Sequence, residues 1–264
     1  MKISSKLIKE LRNLTGIGIM ECKNALIYTK GNISQAIDYI RKNFKLQAIK
    51  KHKNITKEGF ITGLTTQNFG VLLEINCQTD FVAKDRNLVK FACAILKYIH
   101  DHKNINIYDI RYIFNEKLLE LINILKENII INKLQKIDGN FIGQYIHHNK
   151  RIGVILQSNI DNILLMKNIA MHIAMQKPEY ISENNIPQKL LKHEYNIQKN
   201  IAEQINKSDN IIKKIVEGRI QKFINNITLY NQPFLLDTNK LVIDYLKSNN
   251  MIIKKFIRFE IGEK

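Results

Sequence analysis

One pattern occurs twice in this chain and limits what it can fold into. From Gly59-Phe60-Ile61-Thr62-Gly63-Leu64, through Gln67-Asn68-Phe69, to Gly70 and on to Cys77, apolar and β-branched residues form two short strand patterns joined by a polar turn. Leu88, Phe91, Ala92, Ile95 and Ile99 then recur at helical spacing behind Asn87, a residue type suited to capping a helix start. The same order returns further on. Asn140 to Ile146, a turn at Asn149, and Arg151 to Leu156 repeat the hairpin, with Gly153-Val154 lying over Gly70-Val71. Ile163, Met166, Ile169, Ala170 and Ile173 repeat the helix, which should stop at Lys177-Pro178 because the residue before a proline avoids helical backbone. Two amphipathic hairpins can resemble each other by chance. A hairpin followed by a helix, twice in series, points instead to a duplicated α+β core. Ile129 to Ile137 and Met251 to Ile261 read as strands that complete the first and second sheets.

What lies outside the repeat is helical. Ser4 or Ser5 can cap a first helix carrying Leu7, Ile8, Leu11 and Leu14; Thr15-Gly16-Ile17-Gly18 breaks it. A second helix with Met20, Ala25 and Leu26 ends near Gly31, and a third begins after Asn32 with Ile33, Ala36, Ile37 and Ile40. Three short helices make a small core, so residues 1–44 read as a recognition module tethered to a larger body by a basic linker, 45–57. The first core subdomain is then 58–139, including a helical stretch around 109–127. The second is 140–186 together with 229–264, including a short helix from Lys240 to Leu246. Between its two parts, 187–228 reads as an inserted helical hairpin: Pro187 opens one helix, and Asn206-Lys207-Ser208-Asp209 interrupts it and caps the next. With little else to cover its outer stripe, this hairpin reads as an interaction arm.

The residues Cys77-Gln78-Thr79-Asp80-Phe81-Val82-Ala83-Lys84 sit where the first hairpin turns into its helix. Thr79 and Asp80 suit that corner, because their side-chain oxygens accept the unpaired N–H groups of a first helical turn. Phe81 is the odd member. A large aromatic is most often core, so on residue type alone it tucks back onto the sheet; the alternative is that it is presented outward.

Composition then excludes several classes. No apolar window approaches the length of a membrane span, and the start Met1-Lys2-Ile3-Ser4-Ser5-Lys6 has no signal-peptide core. Cys22, Cys77 and Cys93 form no C-x-x-C and cannot all pair, as expected of reduced thiols in a cytoplasmic protein. No phosphate-binding glycine loop and no zinc-binding H-E-x-x-H occurs. His147-His148 and His172 lack ligand-type neighbours at metal spacing, and Asp80 has no carboxylate or histidine beside it. The expected output is binding rather than bond-making: no enzyme, no cofactor, no metal. The net charge of +17 admits a ribosome- or RNA-associated role, but the lysines are scattered and densest only at Lys50-Lys51-His52-Lys53. An Ile-, Asn- and Lys-rich composition of the kind an AT-rich coding sequence produces accounts for the charge, and direct nucleic-acid binding is not expected.

Leu11-Arg12-Asn13-Leu14-Thr15-Gly16-Ile17-Gly18-Ile19-Met20-Glu21-Cys22-Lys23-Asn24-Ala25-Leu26 closely resembles the opening signature of bacterial elongation factor Ts, and Cys77 to Lys84 resembles that family's second signature. Arg151-Ile152-Gly153-Val154, His172-Ile173-Ala174 with Pro178-Glu179-Tyr180, and Gln232-Pro233-Phe234 with Phe256-Ile257-Arg258-Phe259-Glu260 agree in order, so the resemblance covers essentially the whole chain. It implies a guanine-nucleotide exchange factor for elongation factor Tu (EF-Tu), working in the cytoplasm on the GDP-bound and nucleotide-free GTPase. It also implies a ubiquitin-associated-like fold for the N-terminal module and a coiled-coil arm that mediates dimerisation in some relatives. By the same resemblance, Thr79, Asp80, Phe81 and Val82 match the segment that dislocates Mg²⁺ from the partner, which implies that Phe81 projects from the corner with Asp80 beside it. Arg12, Met20 and Lys23 match the N-terminal signature, with partner contact implied, although Arg12 and Met20 could equally pack on or solvate their own bundle. His147 matches a histidine of the second unit. Three departures stand out. Ile17 and Ile19 replace smaller or methionine residues. His147-His148-Asn149-Lys150 is one residue longer, so either histidine can be the equivalent. The last strand is followed closely by Lys264, where many members continue into a C-terminal helix that also touches the GTPase, which leads us to expect weaker or simpler docking.

Overall fold

Ser4 begins the first helix, α1 (Ser5–Thr15), with its hydroxyl accepting the Leu7 N–H at 3.3 Å, and Gly16 ends it in the left-handed conformation, φ 70°. The computed structural model describes residues 3–40, 42, 54–204 and 208–263. α2 (Ile19–Tyr28) follows, and then α3 (33–40), capped by the Asn32 side chain accepting the Gln35 N–H at 3.0 Å. Leu11, Ile17, Cys22, Ala25, Leu26, Ala36 and Ile40 close on one another as a small core. The run Lys50-Lys51-His52-Lys53 and most of the expected linker lie outside the described residues.

β1 (Glu58–Thr66) and β2 (Phe69–Cys77) form the expected hairpin through Gln67-Asn68, and β3 (Ile130–Asp138) completes a three-stranded sheet in the order β1-β2-β3. β2 is buried along its whole length, which its unbroken apolar run favours. After the corner helix α4 (Asp80–Ala83) comes α5 (Arg86–Asp101), whose buried stripe is Leu88, Phe91, Ala92, Ile95, Leu96 and Ile99. Asp85, not Asn87, caps α5: its Oδ1 accepts the Asn87 and Leu88 N–H groups at 2.7 and 3.4 Å. The stretch expected as one helix around 109–127 is two, α6 (Ile107–Ile113) and α7 (Asn115–Leu125), which meet at Phe114. The reason is local. Asn106 and Asp109 form a reciprocal capping box that starts α6 early, and buried Phe114 sets its ring edge-on to Phe91 and Tyr98.

The repeat is present as β4 (Ile142–Ile146), β5 (Ile152–Ser158) and α8 (Ile163–Gln176), and β8 (Ile253–Glu260) completes the second sheet in the order β4-β5-β8. β4 and β5 are antiparallel, with Tyr145 opposite Val154 and Ile146 opposite Gly153. α8 lies on this hairpin so closely that a Cβ added at Gly143 would stand 2.6 Å from Met166 Cβ. Gly143→Ala is therefore expected to force α8 off the sheet at a cost of about 1–3 kcal/mol, read as a lower denaturation midpoint with an unchanged slope.

α9 (Gln188–Glu203) and α10 (Asp209–Ile227) pack on each other, with Arg219 donating to Gln198 at 3.4 Å; Ser208 holds extended backbone at the start of α10, and Asn206 and Lys207 lie outside the described residues. The segments that flank α9 and α10 are hydrogen-bonded to each other. Tyr180 N–H donates to Ile227 O at 3.0 Å, Leu229 N–H to Tyr180 O at 2.8 Å and Tyr230 N–H to Ile181 O at 3.0 Å. Beyond it, residues expected to open a helix at Lys240 belong instead to a small hairpin, β6 (Pro233–Phe234) and β7 (Asp237–Leu241). α11 (Val242–Ser248) starts only after it. Leu241 is extended and 41% exposed, so the apolar spacing that suggested a helix there was a strand edge.

By contact density the chain divides into two compact units. One gathers the described residues of Met1–Leu64, Leu72–Gln135 and Phe259–Lys264; the other gathers Thr65–Val71 and Lys136–Arg258. Among the described residues no helix is long and apolar enough to cross a membrane.

Candidate functional site

The corner after β2 is held by hydrogen bonds at nearly every residue. Cys77 is buried, and burial, reinforced by the nearby Glu127 carboxylate, pushes its thiol up to about 12, so it is neutral at physiological pH; its S–H donates to Thr79 O at 3.1 Å. Thr79 is the N-cap of α4, its hydroxyl oxygen accepting the Val82 N–H at 3.4 Å. α4 lasts a single turn. Lys84 N–H closes on Phe81 O at 3.2 Å and Asp85 N–H on Val82 O at 3.0 Å, and Asp85 then caps α5. Val82 and Ala83 are buried beneath this turn and anchor it.

Anchoring on that side turns Asp80 and Phe81 to the other. Phe81 is 81% exposed, so the inward tuck expected from residue type alone is overturned. The physical reason is periodicity. In one helical turn only part of the circumference faces the core, and Val82 with Ala83 occupy it, which leaves position 81 facing water. A phenylalanine exposed to this degree contributes little to its own fold. Asp80 is also exposed and pairs with Lys84 at 2.7 Å; the ammonium holds its carboxyl below the usual carboxylate range. Asp80 is thus an anion, fixed one residue before the aromatic.

One participant gave no signal in the sequence. Glu127, just past α7, accepts the Gln78 and Thr79 N–H groups, each at 3.0 Å, and the Thr79 hydroxyl at 2.6 Å. Nothing local relates a glutamate 48 residues away to a capping threonine; only the fold brings them together.

The other expected site residues lie on or beside other elements. Arg12, Met20 and Lys23 are all exposed, and Met20 is 63% exposed, so it is not packing its own bundle. Met20, Lys23 and Ile27 share one face of α2 by their spacing, and Leu14, Ile19 and Tyr28 are exposed apolar residues of the same module. The neighbouring Glu21 pairs with Lys126, at the end of α7. His147 sits at the start of the β4–β5 turn, its Nδ1 2.9 Å from the Tyr145 hydroxyl and its ring 4.2 Å from that of the more exposed His148. His172 is different in kind. It is fully buried, its Nε2–H donates to Gln232 Oε1 at 3.0 Å, and its Nδ1 accepts the Leu235 N–H at 3.1 Å. Arg258 donates from Nε and Nη2 to Ala174 O, each at 3.2 Å. Three of the stretches that carried the resemblance therefore meet as internal structure.

Among the described residues there is no group of three or more His, Cys, Asp or Glu placed to hold a metal ion. Fold and site together give a mixed α+β protein with an aromatic held outward beside a carboxylate and an exposed apolar face on a helical module. Comparison with known proteins gives the particular family. The elongation factor TS family model matches residues 78–263, more than half of the chain. The chain is 43% identical over 261 residues to elongation factor Ts of Buchnera aphidicola subsp. Acyrthosiphon pisum (strain 5A), covering 99% of this chain and 97% of that one. It is 42% identical over 265 residues to elongation factor Ts of Baumannia cicadellinicola, covering 99% of this chain and 94% of that one. It is 40% identical over 263 residues to that of Shewanella amazonensis, covering all of this chain and 92% of the relative. The chain belongs to the elongation factor Ts family. That membership does not favour the ribosome- or RNA-associated reading of the charge.

Proposed function

We infer that this chain is the guanine-nucleotide exchange factor of EF-Tu in translation elongation, acting in the cytoplasm and making or breaking no covalent bond. One observation carries the mechanism: the outward Phe81, on a one-turn helix that Thr79 caps. GDP in a GTPase is held by phosphate contacts and by a Mg²⁺ ion bridging to them. A phenyl ring can neither ligate Mg²⁺ nor replace a phosphate contact. Pushed in beside that site it displaces the elements that position both, with Thr79, Asp80 and Val82 forming the segment that delivers it. The nucleotide-free partner then binds the factor best, and by linkage the factor weakens GDP by the same factor. No preference for GTP is required of the factor; the cellular excess of GTP sets the direction.

The module at 1–44, with Arg12, Met20 and Lys23 on its exposed surface, is read as ubiquitin-associated-like and as a second grip on the partner. His147 is read as a contact from the second subdomain, 140–186 with 229–264. The arm at 187–228 is read as a coiled-coil-like projection available for homodimerisation. The test is release of labelled GDP from cognate EF-Tu with and without the chain. Faster release supports the reading. Unchanged release, with EF-Tu competent to rebind nucleotide, overturns it.

A further inference from the structure

Glu127 is placed by a sharp reversal of the chain. α7 ends at Leu125, and Lys126 takes the left-handed conformation, φ 62°, which turns the backbone out of the helix and carries the next side chain to the corner. The carboxylate then divides its two oxygens. Oε2 accepts both backbone N–H groups of Gln78 and Thr79, the donors that remain once β2 has ended at Cys77, and Oε1 accepts the Thr79 hydroxyl proton. That last bond fixes the hydroxyl rotor. With its proton committed to Glu127, Thr79 Oγ1 presents a lone pair to Val82 N–H and caps α4. Glu127 is itself held from the neighbouring position, because Lys126 pairs with Glu21 on α2.

A single helical turn has little stability of its own, since it fixes several residues for one or two hydrogen bonds. α4 is such a turn, four residues long, and Phe81 is its second residue. We propose that Glu127 is a positioning residue for nucleotide exchange. Its carboxylate clasps the Gln78–Thr79 backbone and sets the Thr79 cap, so that the corner presents Phe81 before the partner arrives. This rests on the exchange reading above and adds to it. Without the clasp the presenting conformation is only fractionally populated, and apparent affinity falls by that fraction. Once docked, the partner orders the corner and the ring does the same work. Loss of the clasp therefore acts on the concentration of factor required, whereas loss of the ring acts on the rate at saturation.

The test uses the full chain with Glu127→Ala, Glu127→Gln and Phe81→Ala, read by GDP release over a range of factor concentrations. Amide hydrogen exchange at Gln78 and Thr79 is measured in the free protein. Glu127→Ala is expected to raise the half-saturating concentration about tenfold, leave the saturating rate within about twofold, and speed exchange at both amides. Glu127→Gln keeps a carbonyl oxygen for the two N–H groups and an NH₂ that Thr79 Oγ1 can accept, so it recovers most of the loss. Parental half-saturation and parental amide protection in Glu127→Ala overturn the proposal while leaving the wedge reading intact. A fall in the saturating rate together with a lowered melting temperature assigns Glu127 to general stability and overturns it as well. A parental saturating rate in Phe81→Ala overturns the wedge reading itself, and the proposal with it.

Discussion

Phe81→Ala is expected to cut the saturating rate of stimulated GDP release by roughly 30-fold or more, while the unfolding free energy stays within about 0.5 kcal/mol of the parent. Both halves come from the same observation. Truncating a side chain that is 81% exposed removes almost no buried surface from the folded chain. An aromatic that fills a desolvated position in a partner is the kind of residue whose truncation costs about 2 kcal/mol or more, and every 1.4 kcal/mol is a factor of ten in rate. The measurement pairs stopped-flow GDP release with denaturant unfolding of the same preparation. A loss of exchange accompanied by a lower unfolding midpoint points to a damaged corner rather than a missing wedge, and parental exchange refutes the wedge. Phe81→Leu refines the result. If bulk alone displaces the partner's elements, leucine retains much of the rate; if the flat ring matters, leucine behaves like alanine.

The sequence carried this site unevenly, for reasons that can be traced. The strand, the capping threonine and the following helix were readable from Val71 to Ile99, because alternation, capping chemistry and helical spacing are local. The direction of Phe81 was not. Burial statistics favoured the wrong side, and the choice depended on Val82 and Ala83 taking the inward arc of a helix only one turn long. The resemblance supplied the outward reading that composition could not. Glu127 was invisible, since a glutamate after a helix is ordinary and its three donors lie across the fold. At Lys240 the difficulty was of another kind. Leu241, Val242 and Leu246 suit the start of a helix by spacing, yet the Gln232–Phe234 segment needed a pairing partner, and Asp237–Leu241 became its strand. The divided helix at Phe114 was legible in part, because Asn106 and Asp109 are a recognisable capping pair.

The other large expected effect is on stability. His172→Leu is expected to cost about 2–5 kcal/mol, the sum of leaving two buried polar groups without partners. Leucine has no donor for Gln232 Oε1 and no acceptor for the Leu235 N–H. Gln232 has no freedom to turn away. Its Nε2 already donates to Asn226 O at 2.6 Å and Gln176 O at 3.4 Å, so the amide is fixed with its oxygen facing the vacated site. The parent should also show a pH signature. Burial holds the His172 pKa below its ordinary value of 6.5, with the Gln232 hydrogen bond opposing that shift. The imidazole is neutral in the fold and protonates more readily in the unfolded chain. The unfolded state therefore binds more protons between the folded value and 6.5. This contribution is complete above 6.5 and is lost as pH falls from there toward and through the folded value. The leucine variant has nothing to protonate at that site, so its deficit relative to the parent should be largest near pH 7.5 and narrow towards pH 5.5. Denaturant unfolding of both proteins across that range decides the matter. A constant deficit would mean that the fold does not lower the His172 pKa, and one that grows on acidification would mean that the imidazole takes up a proton in the fold, with the Leu235 N–H bond absent.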